Sequence, residues 1–481
     1  MKLSLIHEPD LEFADGGRHL DPRFGLLRYG PLDAGAAREP RFIEVGIIGT
    51  NQTIERLRDW LEACRNPLPG KETRLRNLFP AFPGFAGDTT FQAELVFDSA
   101  FDRVLNIREL RAVIRDSANT SRRNVCDVIV NELSVLLERH RPDVVMIALP
   151  LEVLERVEPG AAGDEPHEER RGRPTPPVDF HDLLKARAMR FRVPIQLVNP
   201  ETYDPAAKRR QKRRADRARQ LQDPTTRAWN LHIGLYYKSG ACPWRLPRQE
   251  DDLATCFLGI SFFRTLDGES LWTSVAQVFN QRGVGMIIRG GPAHQSKLDR
   301  QTHLSGAESE RLVENAMTRY RQEHGHLPAR VITHKTSTYT PEELSGFRSG
   351  LEKLGIDSFD LVSVRPADTK LFRMGNYPPQ RGTLWTLEPD RHILYTRGSV
   401  PFYETYPGLY VPRPLEFRLH DPETTPVSLA SEMLALTKLN WNTTQFDQGG
   451  PITIRAAREV GDILRYANPS EEIAPSYSAY M

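Results

Sequence analysis

Residues 178–198 read Val-Asp-Phe-His-Asp-Leu-Leu-Lys-Ala-Arg-Ala-Met-Arg-Phe-Arg-Val-Pro-Ile-Gln-Leu-Val, and this stretch is the clearest guide to the fold. A helical pattern from about Asp179 to Arg190 leads directly into an apolar strand pattern from Val193 to Val198. The strand pattern from Phe42 to Gly49 is likewise followed by a helical pattern, from Ile54 to Cys64. Helices and strands that alternate in this way favour a parallel sheet with helices packed on it. The sequence therefore predicts an α/β fold.

The chain is long enough for two to four domains, since it has 481 residues and domains average roughly 100–200 residues. We predict two, residues 1–250 and residues 251–481, because strand and helix patterns start afresh near Asp251. Within the first domain, residues 158–177 and residues 199–223 lack apolar periodicity and are predicted to be flexible loops.

Composition excludes several classes of protein. The formal net charge is +1, 39% of the residues are hydrophobic and 26% are charged, as in an ordinary globular protein. The four cysteines are far apart and form no CxxC or Cys/His spacing, so the sequence supports neither a zinc site nor a disulfide framework. No signal peptide follows Met1, and no apolar run reaches the length of about 18 residues that a membrane helix needs. We expect a cytoplasmic protein without membrane segments.

Four side chains suited to phosphate binding are spread over the first domain. His181 and Lys185 are four residues apart on the predicted helix and so share one face, Gln196 lies on the next strand, and Lys238 ends another predicted helix. Charge-assisted hydrogen bonds contribute roughly 1.5–3 kcal/mol each, so three or four such donors could anchor the end of a nucleic acid strand. Each residue alone is more typical of a surface or sheet-edge position, and the prediction depends on the whole set.

The densest run of positive charge lies between Gln196 and Lys238, within residues 199–223. Taken alone, such a run is equally typical of a solvated surface segment. Its position beside the predicted phosphate site favours contacts with a nucleic-acid backbone, for which we select Arg209 and Arg213.

Longer motifs surround the four side chains. They read His-Asp-Leu-Leu-Lys-Ala-Arg at 181–187, Val-Pro-Ile-Gln at 193–196, and Arg-Ala-Trp-Asn-Leu-His-Ile-Gly-Leu-Tyr-Tyr-Lys-Ser-Gly-Ala-Cys-Pro-Trp-Arg-Leu at 227–246. Together they closely resemble the MID domain of prokaryotic Argonaute proteins. The family often carries Tyr where this chain has His181, although an imidazole can also donate to a phosphate.

The resemblance covers essentially the whole chain. Glu8 to Leu32 is similar to the amino-terminal segment of short Argonautes, and Leu436 to Asn442 with Pro451 to Ala457 is similar to the PIWI carboxyl terminus. The resemblance implies a Rossmann-like MID domain followed by an RNase H-like PIWI domain, without N and PAZ domains. It also implies that His181, Lys185, Gln196 and Lys238 hold the 5′-phosphate of a guide strand, where Mg²⁺ and the terminal carboxylate of Met481 are expected to join them.

PIWI domains that cut a target hold two divalent metals with a tetrad of carboxylates. The resemblance places three of these acids at Ser261, Lys335 and Arg458, and none of the three is acidic. We therefore expect no catalytic metal and no cleavage by this chain. Lys335 and Arg458 are instead suited to contact the phosphates of a guide–target duplex, although packing or surface ion pairs are equally compatible with each.

The resemblance to inactive short Argonautes implies that this chain works with a partner protein. The resemblance predicts that a guide RNA directs the chain to single-stranded DNA of a plasmid or phage, and that this activates an associated APAZ-domain effector. The effector would be a TIR or sirtuin-like NAD-consuming enzyme or a nuclease, joined as a heterodimer that oligomerises on activation. The alternative is an unguided single-strand-binding protein that uses the basic segment. A free-standing enzyme lacks support, because GxGxxG, GxxxxGK[ST], GxSxG and HExxH are all missing from the sequence.

Overall fold

The computed structural model describes residues 1–36, 39–158, 178–204, 207, 222–247, 253–266, 268–279, 285–375, 378–408, 410–420, 422–468 and 473–481. The strands of the first half are β1 (Lys2–Leu5), β2 (Leu11–Glu12), β3 (Arg18–His19), β4 (Phe42–Gly49), β5 (Glu94–Val96), β6 (Asp102–Val104), β7 (Val144–Ala148) and β8 (Ile195–Leu197). Four of them form a parallel sheet in the order β5-β4-β7-β8, and β6 also pairs with β4 in parallel. This sheet confirms the α/β prediction.

Helices follow the strands of this sheet. They are α1 (Pro22–Tyr29), α2 (Asn51–Ala63), α3 (Ile107–Val113), α4 (Ala118–Arg139), α5 (Leu151–Val157), α6 (Phe180–Ala188), α7 (Pro200–Tyr203) and α8 (Pro224–Lys238). Side-chain caps fix where they begin: Thr50 forms a capping box on α2, Asp179 accepts from the backbone N–H of Asp182 on α6, and Asp223 caps α8. The caps at Asp179 and Asp223 thus set the starts of the two helices that carry Lys185 and Lys238.

The second half contributes eight strands to a nine-stranded mixed sheet, and β1 from the first half is the ninth. The strands of the second half are β9 (Thr255–Arg264), β10 (Leu271–Phe279), β11 (Gly285–Pro292), β12 (His294–Gln295), β13 (Thr302–His303), β14 (Arg330–Lys335), β15 (Ser358–Pro366), β16 (Thr383–Glu388), β17 (Arg391–Leu394) and β18 (Leu415–His420). The order in the sheet is β1-β16-β17-β18-β15-β14-β9-β10-β11. The pairs β9/β14 and β14/β15 are parallel and the other pairs are antiparallel. The short strands β12 and β13 pair separately, as do β2 and β3.

The helices of this half are α9 (Gly306–His324), α10 (Pro341–Glu352), α11 (Pro426–Leu436) and α12 (Ile452–Leu464), and 3₁₀ turns lie at Ala14–Gly16, Ser99–Phe101, Met189–Phe191, Pro401–Tyr403 and Tyr477–Ala479. Helix α12 crosses β9 so closely that a Cβ on Gly259 would lie 2.0 Å from the carbonyl oxygen of Thr453. Only glycine allows this approach, so the Gly259 position fixes α12 against the sheet.

One continuous core joins the two halves. Ile43 and Trp229 from the first half belong to the same buried cluster as Phe417 from the second. The rings of Tyr237 and Trp441 stack with centroids 4.2 Å apart and planes 3° from parallel, a pair that contributes about 0.5–1.5 kcal/mol beyond its burial. The end of α8 is therefore held firmly against the second half.

The structure also differs from the prediction in particular places. Strand β18 was not predicted, and β1 pairs with β16 although it lies within the predicted first domain. The short helix α7 lies in the segment predicted to be a loop, and most of that segment and residues 159–177 fall outside the described residues. All four cysteines are buried and free. Among the described residues, every helix is too short or too polar to cross a bilayer.

Candidate functional site

Three of the four predicted phosphate-binding side chains meet beside β8. The Nζ atoms of Lys185 and Lys238 both donate to the carbonyl oxygen of Ile195, at 3.2 and 3.1 Å. Lys238 also donates to Oε1 of Gln196 at 2.5 Å. The two lysines are only 2% and 3% exposed. We call Lys185, Gln196 and Lys238 the lysine cluster.

Both ammonium groups of the lysine cluster are short of negative charge. Burial lowers the pKa of Lys185 to about 7, although the carboxylates of Asp182 and Glu459 oppose this shift. Burial also lowers the pKa of Lys238 well below its usual value, and the nearby Lys185 lowers it further. Among the described residues neither lysine forms an ion pair with a carboxylate. A bound anion would supply the missing charge.

The low pKa of Lys185 predicts a pH-dependent stability. Its folded pKa of about 7 lies below the unfolded value of about 10.4, so the unfolded chain binds more protons between these two pH values. The free energy of unfolding should therefore rise as pH increases from about 7 to about 10, and Lys185→Met should make this rise shallower. Urea unfolding of both proteins without ligand at several pH values measures the difference, and parallel slopes would contradict the prediction.

The structure does not bring His181 to the lysine cluster. Its ring is 50% exposed, and Nδ1 lies 3.1 Å from Oδ1 of Asp182 rather than near the ammonium groups. Lys185 lies on the same helix, but its side chain is buried. The spacing of four residues predicted that His181 and Lys185 would face the same ligand, whereas one side chain is exposed and the other is buried. Met481 is buried in the core cluster that contains Tyr237, and the role of its carboxylate stays a prediction.

The lysine cluster does not fit a divalent cation. Two ammonium groups would repel Mg²⁺, and the oxygen of Gln196 that could ligate it already accepts from Lys238. Beside the cluster, Asp179, His181 and Asp182 offer ligand atoms within 4.8 Å of one another. The cap of α6 and the contact between His181 and Asp182 account for that arrangement. We assign no metal to these residues.

The second half contributes residues that sequence reasoning missed. Glu459 on α12 acts on the pKa of Lys185 and accepts hydrogen bonds from Tyr477 at 2.8 Å and from Arg455 at 2.7 Å. The hydroxyl of Tyr466 accepts from the backbone N–H of Asp179 at 2.8 Å. The spacing of Arg455 and Glu459 could have indicated an ion pair within one helix, but no local pattern relates either residue to Lys185.

The three positions expected to carry catalytic acids lie on adjoining elements. Ser261 is buried on β9, and Lys335 ends β14 opposite Ile260, the residue before Ser261. Arg458 lies on α12, which packs on β9. Next to Lys335, the ring of His334 is also buried, which lowers its pKa to about 3, and Nδ1 lies 2.8 Å from Oγ1 of Thr453.

Lys335 is enclosed in a buried ion pair. It is 0% exposed, and its Nζ lies 2.7 Å from Oε1 of Glu343 and 4.8 Å from the ring centroid of Tyr339. The other carboxylate oxygen of Glu343 lies 3.1 Å from Nδ1 of His303. From this position Lys335 cannot contact a phosphate, which corrects the prediction of a backbone contact there. The charge is neutralised inside the protein rather than offered to a ligand.

The remaining predicted contacts fall in two places. Arg458 is exposed and lines a cavity of about 490 Å³, so a phosphate contact at this residue stays a prediction. Arg209 and Arg213 lie outside the described residues.

Solved structures of similar fold are Argonaute and Piwi proteins. The Argonaute of Clostridium butyricum, in a structure bound to a guide DNA and a 19-mer target DNA, has a TM-score of 0.64 and 14% identity over 97% of this chain and 53% of its own. Drosophila Piwi has a TM-score of 0.61 and 12% identity over 99% of this chain and 56% of its own. Argonaute of A. aeolicus has a TM-score of 0.58 and 15% identity over 97% of this chain and 53% of its own.

These comparisons establish an Argonaute-like α/β fold. The chain spans about half the length of the solved structures that it matches. Its sequence matches no family model and no curated protein.

Proposed function

We propose that this chain binds the 5′-phosphorylated end of a guide RNA and uses the guide to recognise single-stranded DNA of an invading plasmid or phage. The observation that carries the proposal is the buried pair Lys185 and Lys238, joined through the carbonyl oxygen of Ile195. The fold supports it, because the similar Clostridium butyricum structure holds a guide DNA and a target DNA. The choice of RNA as guide and DNA as target follows the resemblance to short Argonautes.

A terminal phosphate would supply the negative charge that Lys185 and Lys238 do not receive from a carboxylate among the described residues. A phosphate monoester carries about −1.5 to −2 at pH 7 and offers three strong acceptor oxygens. Binding it would favour the protonated form of Lys185 and Lys238, whose pKa values burial now lowers. Gln196 could donate to the phosphate if it exchanged two hydrogen bonds, the one its Oε1 accepts from Lys238 and the one its Nε2 donates to the backbone oxygen of Leu197 at 2.9 Å. The cluster is thus suited to a strand end rather than to an internal phosphodiester, which carries a single charge.

The proposal is tested by comparing short RNA and DNA strands that differ only in a 5′-phosphate or a 5′-hydroxyl. We expect the phosphate to strengthen binding at least tenfold, because charge-assisted hydrogen bonds contribute about 1.5–3 kcal/mol each. Sequencing of the nucleic acid that co-purifies with the protein should return short RNAs with a 5′-phosphate. Equal affinity for both ends would instead favour the unguided single-strand-binding alternative.

We expect the guide-loaded protein to leave a matched target intact in Mg²⁺ or Mn²⁺. Ser261 offers no carboxylate, and Arg458 would repel a metal ion by about 4 kcal/mol per unit charge at about 4 Å and an effective dielectric of about 20. The nearby Glu343 is committed to Lys335 and His303. Gel analysis of a labelled target measures the outcome. Cutting that disappears on Arg458→Ala would contradict it.

The toxic chemistry is proposed to reside in a partner with an APAZ domain fused to a TIR, sirtuin-like or nuclease effector. This part rests on the resemblance to inactive short Argonautes. Co-expression with the product of the adjacent gene should yield a stable heterodimer, and guide with target should increase its effector activity and drive larger assemblies. Failure of the two proteins to co-elute would count against the partner while leaving guide binding to be judged separately.

A further inference from the structure

A cavity of about 490 Å³ beside α12 is lined by arginines and tyrosines from separate parts of the chain. Arg397 follows β17, Arg458 lies on α12, and Tyr406, Tyr410 and Arg413 belong to the segment before β18. Its volume lies within the roughly 300–1,000 Å³ typical of ligand sites. Since α12 also carries Glu459, which acts on Lys185, this cavity and the lysine cluster lie along one helix.

Two of the three arginines of the cavity keep donors that an anion could use. Arg458 is exposed and makes no hydrogen bond with the described residues, although the carboxylate of Asp462 on the same helix acts on its charge. Arg397 uses Nε to donate to the backbone oxygen of Asp447 at 3.0 Å, and its charge opposes the burial that raises the pKa of the Asp447 carboxyl. Its two terminal nitrogens make no hydrogen bond with the residues that the structure describes. Arg413 pairs with the exposed Asp368 at 2.7 Å. The carboxyl group lining the described part of the cavity belongs to Asp447, and it is buried.

The two tyrosines of the cavity differ in exposure, since Tyr406 is half-buried and Tyr410 lies mostly in solvent. Tyr410 is 83% exposed, and its backbone oxygen accepts a hydrogen bond from the hydroxyl of Tyr406 at 2.5 Å. A single exposed ring is common at a protein surface, and Tyr410 becomes informative because arginines line the same cavity. An exposed aromatic ring beside guanidinium groups is a combination that binds unpaired nucleic acid, since a base stacks on the ring and phosphates bind the cations.

We propose that this cavity binds an unpaired segment of nucleic acid, with its phosphates on Arg397 and Arg458 and a base stacked on Tyr410. The proposal rests on the proposed function in one respect, namely that the segment belongs to the target strand. Adjacent residues on a helix point about 100° apart, so Arg458 and Glu459 face different sides of α12. The 5′ end of the guide would bind at the lysine cluster, on the side of α12 that carries Glu459. The side that carries Arg458 then remains available to the target strand. A base-paired segment does not suit the site, because the faces of its bases are already stacked.

The test compares targets bound by the guide-loaded protein. One target is blunt and the other extends beyond the guide as an unpaired tail, and the tail should strengthen binding about tenfold. Tyr410→Ala and Arg397→Ala should each remove this advantage without changing the affinity for the blunt target. Arg319→Ala is the matched control, since Arg319 is an exposed arginine on α9 that does not line the cavity. A tail without effect, or equal losses for blunt and tailed targets in the two variants, would overturn the proposal.

A parallel measurement separates this proposal from the proposed function. In this measurement a free single strand that carries a 5′-hydroxyl is bound to the wild-type protein and to Tyr410→Ala, and the two affinities are compared. If a 5′-phosphate proves irrelevant to guide binding while Tyr410→Ala still weakens this strand severalfold, guide anchoring fails and the cavity remains a single-strand site. If the phosphate matters but the tail does not, the cavity proposal fails alone.

Discussion

Lys238→Met is expected to weaken binding of a 5′-phosphorylated guide by about ten- to hundredfold, and to leave binding of the 5′-hydroxyl strand unchanged. Lys238 donates to both Ile195 and Gln196, so it occupies the middle of the lysine cluster. Methionine has nearly the same length and fills the same space, but it provides no charge for the phosphate. The measurement is equilibrium binding of labelled strands that differ only at the 5′ end.

Lys238→Met should weaken guide binding without lowering the free energy of unfolding. Lys238 is buried without a carboxylate partner among the described residues, so replacing it with an apolar side chain is expected to preserve or raise the free energy of unfolding. Lys438→Met is the matched control: Lys438 is also buried, but its Nζ lies 2.7 Å from Oε1 of Glu8. The control should lose stability and keep its preference for the 5′-phosphate. A Lys238→Met protein that unfolds easily yet binds the phosphorylated guide normally would show that the lysine is structural.

Glu343→Ala is expected to lower the free energy of unfolding by about 3–5 kcal/mol. Glu343 is 0% exposed, pairs with the equally buried Lys335 at 2.7 Å, and accepts the backbone N–H groups of Leu304 and Thr340. Its removal leaves a buried ammonium group without its counterion and also breaks the capping box of α10. Urea unfolding at neutral pH measures the loss.

A double variant separates the ion pair from the cap. Lys335→Met with Glu343→Gln removes both charges but keeps a side chain that can accept at the start of α10, so it should recover most of the lost stability. A double-mutant cycle built from these two substitutions gives the coupling between them, which should exceed about 0.5 kcal/mol because the groups touch. A coupling near zero would mean that the pair contributes nothing and that the cap alone explains the loss.

The local sequence was sufficient to predict elements whose signals lie within a few residues, such as the helix and strand patterns that correspond to α6 and β8. Thr340, Pro341 and Glu343 form a local start signal of the same kind, and the capping box of α10 is present. Strand β18 was missed, although Leu415, Phe417 and Leu419 alternate in the way that a half-buried strand requires. The prolines just before this strand favour a loop, and only pairing with β15 and β17 makes the segment a strand.

For the residues of the candidate site, too, the local sequence determined some properties and the tertiary structure determined others. The sequence by itself determined an α/β chain with phosphate-binding residue types on α6, β8 and α8, and without acids at Ser261, Lys335 and Arg458. Only the tertiary structure decided how these residues are used, since it joined Lys185 and Lys238 through one carbonyl, left His181 outside and enclosed Lys335 with Glu343. The physical reason is that helix and strand patterns depend on neighbours along the chain. Burial, pKa and charge pairing depend on groups that only the folded chain brings within hydrogen-bonding distance.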